Sequence, residues 1–109
     1  MTRKVFIENI TKIVDDNLGN PNLKGTYIAE KMGTNRMFIH RRLKLYLQQN
    51  TRDFIRTRRM EKAQRLLLNS DLSISEISKA LGFKDLPYFS KMFKQHVGIP
   101  PSQYRKNKH

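Results

Sequence analysis

The chain has 109 residues, contains no cysteine, and carries 22 Lys or Arg against nine Asp or Glu, for a formal net charge of +13. The lack of cysteine excludes disulfides, cysteine nucleophiles and thiolate metal sites. No stretch approaches 18 consecutive apolar residues, and residues 1–6 lack the apolar core of a signal peptide, so a soluble protein of the cytoplasm is expected. The charge excess indicates a polyanionic partner, with nucleic acid as the first candidate and an anionic membrane surface as the second.

The first predicted helix covers about residues 5–18. Its apolar residues Phe6, Ile10 and Val14 recur at helical spacing and form one stripe. Gly19 stands where a left-handed helix cap belongs.

Two further helices are predicted before the middle of the chain, over about residues 23–32 and 35–47. Asn35 is a suitable N-cap for the second of these. Ile39 and Leu43 are four positions apart, which places them together on its inward side.

The central helix is predicted over about residues 51–68. This stretch contains no Gly or Pro, and Thr51 and Asp53 suit its first turn. At 1.5 Å per residue it would be roughly 27 Å long.

The second half of the chain repeats this layout. Ser73 and Glu76 have the spacing of a capping box and start a fifth helix. A sixth helix is predicted over about residues 85–96, because Pro87 is tolerated only in a first turn. Ser102 is predicted to cap a last short helix.

The segments before and after the central helix match residue by residue. The matching pairs, first 49 and then 50 positions apart, are Ala29 and Ser78, Gly33 and Gly82, Ile39 and Phe89, and Leu43 and Phe93. Small residues let two helices cross closely, and glycine permits a turn with positive φ. The repeat therefore predicts two helix-turn-helix units, the second with a turn one residue longer.

The predicted fold is all-α, with seven helices in two helix-turn-helix lobes joined by the long central helix. Lobe one covers about residues 5–50, the linker helix about 51–68 and lobe two about 71–107, within a single domain over 1–109. Successive major grooves on one face of B-DNA lie about 34 Å apart. A linker helix of roughly 27 Å, with a recognition helix beyond each end, could place the two recognition helices in neighbouring grooves. This geometry favours DNA over a membrane.

Several runs resemble the signature of AraC/XylS-type transcription regulators. In the second half these are residues 77–83 (ISKALGF), 88–94 (YFSKMFK) and 98–105 (GIPPSQYR). In the first half they are residues 41–44 (RRLK), 54–56 (FIR) and 59–60 (RM). The resemblance spans about residues 5–106 and implies a bacterial, seven-helix, two-lobed domain. It also implies binding to a promoter through two adjacent major grooves and altered recruitment of RNA polymerase, as in an activator.

The outward side of the third helix carries the candidate base-reading residues of lobe one, which are Arg36, Met37, His40 and Arg41. Arginine can contact guanine bidentately, histidine can bond a base edge, and methionine can contact a thymine methyl. The resemblance also places base contacts at Met37, His40 and Arg41. The alternative is a solvated basic face. Phe38, between them, could be semi-exposed or in the core, and the core is favoured.

In lobe two, the reading face and the resemblance give Leu86, Pro87, Ser90 and Lys91 as candidate base contacts. Lys84 stands where the family has a capping Ser or Asn, so Asp85 is expected to cap the helix instead. An acidic cap stabilises the helix but repels phosphate. Lobe two is therefore expected to give affinity more than sequence discrimination.

Phosphate contacts are expected from basic residues that flank the reading helices, and they would make binding salt-dependent. The candidates are Lys24, Arg42, Lys44, Lys84, Lys91 and Lys94. Arg59 lies near the inward stripe of the central helix. The resemblance gives it a structural role, and we interpret it as a tie between the lobes.

Catalytic and metal-binding constellations are not apparent in the sequence. His40, His96 and His109 lack ligand-like spacing, and Asp15 and Asp16 are interpreted as a solvated helix end. We therefore expect no enzyme, cofactor or metal. The alternatives to specific DNA binding are a protein-interaction module and a nonspecific nucleic-acid binder.

The expected partners are double-stranded promoter DNA and RNA polymerase, in the bacterial cytoplasm and at the nucleoid. The family often adds a sensor or receiver domain. One domain fills nearly the whole sequence, apart from a basic tail at residues 105–109, so an excised piece of a longer chain is slightly favoured over a stand-alone regulator.

Overall fold

The computed structural model describes residues 1–107, which form seven α-helices and no strand. The helices are α1 (Arg3–Asp15), α2 (Gly25–Met32), α3 (Arg36–Leu47), α4 (Thr51–Asn69), α5 (Ile74–Ala80), α6 (Leu86–Val97) and α7 (Pro101–Lys106). The predicted all-α class and the number of helices are confirmed. Lys108 and His109, which end the predicted domain and its basic tail, lie outside the described residues.

The chain divides into two compact units. Unit one comprises Met1–Leu18 and Asn22–Arg58, and unit two comprises Gly19–Pro21 and the chain from Arg59 onward. The long helix α4 is continuous through this boundary, so its first eight residues belong to unit one and the rest to unit two. The division into two lobes and a separate linker helix stays a prediction.

The core of unit one forms where α1 and α3 pack on α2. The predicted apolar stripe of α1 is buried, and so are Ile39 and Leu43 of α3. The core of unit one consists of Phe6, Ile10, Val14, Leu18, Leu23, Ile28, Ala29, Ile39, Leu43, Phe54 and Ile55. Removing this apolar surface from water is the main stabilising contribution to the unit.

Unit two has a core rich in aromatic rings. Phe89 and Phe93 of α6 are fully buried, and the ring of Phe89 meets Phe83 edge-on at a centroid distance of 5.1 Å. Phe93 meets Tyr104 of α7 in the same way at 5.5 Å. The remaining members of this core are Met60, Ala63, Leu67, Ile77, Leu81 and Met92. Edge-to-face pairs stabilise such a core beyond the area they bury.

The expected end of the first helix at Gly19 is wrong. Helix α1 ends at Asp15, its C-cap Asp16 is right-handed, and Gly19 does not have a positive φ. Gly19 is required for a different reason, because a Cβ at this position would stand 2.8 Å from the carbonyl oxygen of Ala80. Asp15 is also not solvated as predicted, since it pairs with Arg58.

The predicted cap of the last helix is wrong as well. Helix α7 begins at Pro101, its N-cap is Pro100, and no side chain caps it. Proline at the first helical position has the required φ and lacks an N–H that would otherwise be unbonded, so Ser102 is not needed as a cap.

Arg105 is not part of a free basic tail. Its Nε donates to the carbonyl oxygen of Leu67 at 3.0 Å, and its Nη2 donates to that of Ser70 at 3.3 Å. These oxygens lie at the C-terminal end of α4, where intrahelical donors run out. Arg105 thus closes the end of the long helix.

Candidate nucleic-acid interface

The turn between α2 and α3 is built on a left-handed glycine. Gly33 has φ 69°, and the N–H of Thr34 donates to the carbonyl oxygen of Ala29 at 2.9 Å. This bond spans the end of the helix as in a Schellman motif. Ala29 is buried, as expected for a small residue where two helices cross.

The turn between α5 and α6 uses the same contacts. Gly82 has φ 82°, the N–H of Phe83 donates to the carbonyl oxygen of Ser78 at 3.1 Å, and Ser78 is buried. These three residues lie 49 positions after their counterparts in the first turn. The predicted repeat is therefore present in the backbone hydrogen bonds as well as in the sequence.

The two helices after these turns begin at equivalent caps. Oδ1 of Asn35 accepts the N–H of Phe38 at 2.9 Å, and Oδ1 of Asp85 accepts the N–H of Tyr88 at 2.8 Å. The expected cap at Asp85 is confirmed, and it makes Lys84 the additional residue of the second turn. From the caps onward, α3 and α6 correspond at a separation of 50.

One face of α3 is exposed and carries all four predicted base-reading residues. Arg36, Met37, His40 and Arg41 lie on this side, with Met37 at 53% exposure, while Ile39 on the opposite side is fully buried. Their steps of one, three and one place them in neighbouring turns of a single helix face. The helix therefore presents two guanidinium groups, an imidazole and a thioether together.

The equivalent face of α6 carries the predicted residues of the second lobe. Leu86 is 38% exposed, Pro87 and Lys91 are exposed, and Ser90 is half-buried. Tyr88 beside them is 52% exposed, although its ring centroid lies 6.0 Å from that of Phe83. This face has one cation and three small or apolar side chains where α3 has two arginines.

Arg42 differs from the other phosphate candidates because it is half-buried against aromatic rings. Its guanidinium carbon lies 4.7 Å from the ring centroid of Phe38, and its Nη1 donates to the hydroxyl of Tyr46 at 2.9 Å. Phe38 is half-buried under this arginine and meets Phe6 edge-on, so its predicted place in the core is wrong. A phosphate contact by Arg42 stays a prediction.

The five lysine candidates for phosphate contacts are all exposed, with Lys91 on the α6 face described above. Lys24 is the N-cap of α2 and makes no side-chain capping bond. Lys44 and Lys94 occupy the last turns of α3 and α6, and Lys84 lies in the second turn. Contacts between these lysines and phosphate stay predictions.

Arg59 has structural contacts within unit two. Its Nη2 donates to the carbonyl oxygen of Asn20 at 2.9 Å, and its guanidinium carbon lies 5.8 Å from the ring centroid of Phe83. Burial lowers the pKa of this guanidinium from its ordinary value, because desolvation disfavours the charged form. Its interpretation as a tie between the lobes stays a prediction.

Sequence reasoning missed one neighbour of the α3 face. Gly25, the first residue of α2, is buried, and a Cβ placed on it would stand 3.0 Å from Cγ of Arg36. Only a contact through space reveals this, since the two residues are 11 positions apart.

Two kinds of feature are absent from residues 1–107. No helix in this part of the chain is long and apolar enough to cross a membrane. Within the same residues, no cluster of three or more His, Cys, Asp or Glu has the arrangement to hold a metal ion.

Comparison with known proteins places the chain in a family. A family model described as a helix-turn-helix domain matches residues 28–107. The Msm operon regulatory protein of Streptococcus mutans is 34% identical over 103 residues, which cover 94% of this chain and 37% of that protein. The chain therefore belongs to the helix-turn-helix domain family, of the AraC type.

Solved structures show the same fold. The C-terminal domain of the two-component response regulator yesN from Fusobacterium nucleatum is 31% identical, with a TM-score of 0.81 over 90% of this chain and 95% of that one. An AraC-type transcriptional regulator from Chromobacterium violaceum is 26% identical, with a TM-score of 0.87 over 94% of this chain and 91% of that one. The chain thus spans nearly all of these structures but only about a third of the Msm operon regulatory protein.

Proposed function

We propose that the chain binds double-stranded DNA at specific sequences and regulates transcription, with α3 and α6 each entering a major groove. The observation that carries the proposal is the pair of matched exposed faces, 50 positions apart, each held by the same turn and the same type of cap. The net charge of +13 and membership of the AraC-type family support it. The two grooves are proposed to be adjacent along one face of the duplex.

In the first unit, Arg41 and His40 carry most of the proposed base discrimination. Arg41 is exposed on the α3 face, where its planar guanidinium can donate to O6 and N7 of guanine. His40 can donate to or accept from a base edge. Met37 can contact a thymine methyl, and Arg36 can read a base beside them.

In the second unit, α6 contributes affinity more than discrimination. Lys91 is a mobile point charge, and the apolar Leu86 and Pro87 lack hydrogen-bond donors for base edges. The carboxylate of Asp85 caps the helix but also places negative charge close to the expected phosphate path. Contacts to phosphate position a protein on DNA without reading its sequence.

Some relatives are longer than this chain, and their additional length indicates which domains could accompany it. The chain spans 37% of the Msm operon regulatory protein, and one similar structure is the C-terminal domain of a two-component response regulator. We propose that this domain is the output end of a longer chain with a sensor or receiver domain. In that role it would act in the cytoplasm, at the nucleoid, through contact with RNA polymerase and without a catalytic step.

The test is selection of bound duplexes from a random 25-base-pair pool at about 150 mM salt, a concentration at which weak phosphate contacts are screened. Two short preferred blocks one helical turn apart are expected. A single block would mean that only α3 discriminates. The absence of any preferred sequence would refute specific recognition and favour the nonspecific or protein-binding alternative.

A charge-matched pair of variants sharpens the test. Arg41→Ala should remove the preference at one or two base pairs of the first block. Arg52→Ala removes the same charge from an exposed position on α4, outside both faces, and should leave every preference unchanged. Equal effects of the two substitutions would mean that Arg41 acts by charge alone.

A further inference from the structure

Gly25 has no side chain and lies beside Arg36, the first residue of the exposed α3 face. A Cβ placed on Gly25 would stand 3.0 Å from Cγ and 3.6 Å from Cδ of Arg36. Arg36 is nevertheless exposed overall, so its aliphatic stem crosses the α2 backbone while its guanidinium end is free to reach outward. A methyl group of Thr51 lies 3.7 Å from the same Cβ position.

Backbone conformation does not require glycine at this position. Gly25 opens α2, and positive φ occurs among the described glycines at Gly33, Gly82 and Gly98 only. Glycine is also a poorer helix former than alanine, so helix propensity gives no reason for glycine at the start of α2. The stem of Arg36 supplies the steric reason for glycine.

The second helix-turn-helix unit has no such arrangement. Its residue equivalent to Gly25 is Ile74, 49 positions later, and its residue equivalent to Arg36 is Leu86, 50 positions later. Ile74 is half-buried at the start of α5. The bare backbone and the long cationic side chain therefore occur together in one unit and are both replaced in the other.

We propose that Gly25 is a positioning residue that fixes the direction of Arg36 and thereby the base pair that Arg36 reads. The inference rests on the proposed function. Contact along Cγ and Cδ restricts the first torsions of the side chain, so less rotamer entropy is lost when the guanidinium binds. The planar fork of arginine needs a defined approach for bidentate contact, and a small shift at Cγ becomes larger at the guanidinium.

The experiment compares Gly25→Ala with the wild-type chain in the same duplex selection. A bidentate arginine contact discriminates against a wrong base by a factor of roughly 5 to 150. We expect Arg36→Ala to remove the preference at one base position. Gly25→Ala should weaken that same preference by about threefold or more and leave the other positions unchanged, since the added methyl displaces the stem but keeps the charge.

A double-mutant cycle and a control separate positioning from folding. In the Arg36→Ala background, Gly25→Ala should have no further effect on specificity, because the displaced atoms are gone. Gly98→Ala is the matched control: with φ 100° at the end of α6 and nothing near its Cβ, it should lower the thermal midpoint without changing any base preference. Gly25→Ala should show the opposite pattern, with changed specificity and a midpoint within a few degrees of wild type.

Each outcome decides the matter. A wild-type chain without base preference refutes the proposed function itself. A wild-type preference that Arg36→Ala or Gly25→Ala leaves intact overturns only the role of Gly25, as does an effect of Gly25→Ala that persists undiminished without Arg36. If Gly25→Ala is too unstable for binding assays, a normal midpoint in the double variant supports the contact with Arg36, and a midpoint that stays low overturns it.

Discussion

The carbonyl oxygen of Ala80 occupies the space beside Gly19, 2.8 Å from the point where a Cβ would stand. The loop of residues 19–21 therefore meets the end of α5 backbone to backbone, inside the same compact unit. Arg59 donates to Asn20 in this loop at 2.9 Å, which fixes the loop from the side of α4. A side chain at position 19 would have to displace backbone atoms that α5 and Arg59 hold in place.

Gly19→Ala should lower the free energy of unfolding by about 1–3 kcal/mol, the usual effect of overpacking a site that cannot relax. The reduced entropy of the unfolded chain opposes this by less than about 1 kcal/mol, so the steric term should dominate. Urea denaturation followed by circular dichroism measures the difference. Ser75→Ala, at an exposed position of α5, is the control and should change stability little. A Gly19→Ala chain as stable as the control would contradict the close approach.

Asp15 and Arg58 should couple more strongly than an exposed ion pair. Nε and Nη2 of Arg58 donate to the two carboxylate oxygens of Asp15 at 2.8 and 2.7 Å, and both side chains are largely covered. We expect a coupling free energy of about 1–2 kcal/mol in a double-mutant cycle to alanine, since the bond is bidentate and half-desolvated. The pair Lys12 and Asp16 on α1, both mostly exposed, should couple by less than about 0.5 kcal/mol. Similar coupling in the two pairs would mean that the bidentate geometry does not persist in solution.

Sequence periodicity was sufficient for the features that depend on neighbouring residues. The caps at Asn35, Ser73 and Asp85, the left-handed Gly33 and Gly82 and the exposed face of α3 follow from propensities and spacings within one or two turns. The repeat added the long-range information that these local units occur twice. It predicted which residues of each helix are equivalent.

Contacts between distant parts of the chain were not predictable in this way. Arg58 lies 43 positions from Asp15, and Arg105 lies 38 from Leu67, so no local pattern links them. Gly19 was interpreted by its position after a helix, although a close backbone approach is what requires glycine there. Such contacts depend on tertiary packing, which leaves no periodic pattern in a single sequence.

The capping box of α5 should make stability depend on pH in the acid range. The backbone N–H of Ser73 and then its hydroxyl lower the pKa of the Glu76 carboxyl below its ordinary value. A group whose pKa is lower in the folded state contributes stability that is present above its unfolded pKa, about 4.3. This contribution is lost as the pH falls through the lower, folded value.

Thermal unfolding of wild type and Glu76→Gln between pH 6 and pH 3 tests this expectation. The wild type should be the more stable chain at pH 6, and its advantage should shrink as the pH falls below the unfolded pKa of about 4.3 and the carboxylate becomes protonated. Ser73→Ala removes the hydroxyl but keeps the backbone N–H, so the pH-dependent advantage should be reduced but still present. An advantage of constant size down to pH 3 would show that the ionised carboxylate makes no contribution through this cap.

The two exposed faces should respond differently to loss of a basic residue. Arg41 of α3 and Lys91 of α6 occupy equivalent positions, 50 apart, and both are exposed. Arg41→Ala should weaken binding to the selected duplex by about 1–3 kcal/mol and leave binding to a scrambled duplex nearly unchanged, because its fork reads a base. Lys91→Ala should weaken binding to both duplexes alike and reduce the slope of log Kd against log salt by about one, because a point charge near phosphate is lost.

Titrations of both variants against both duplexes, from about 50 to 200 mM salt, distinguish these two modes of contact. Lys91→Arg is the matched control for α6, since it keeps the charge and adds a planar fork. It should restore the affinity and the salt slope of the wild type. Loss of base preference in Lys91→Ala at a position in the second block would show that α6 reads sequence, and the division of labour between the two faces would then be wrong. If instead Arg41→Ala behaves as Lys91→Ala is expected to, both faces contribute charge alone, and specificity must come from the remaining residues of α3.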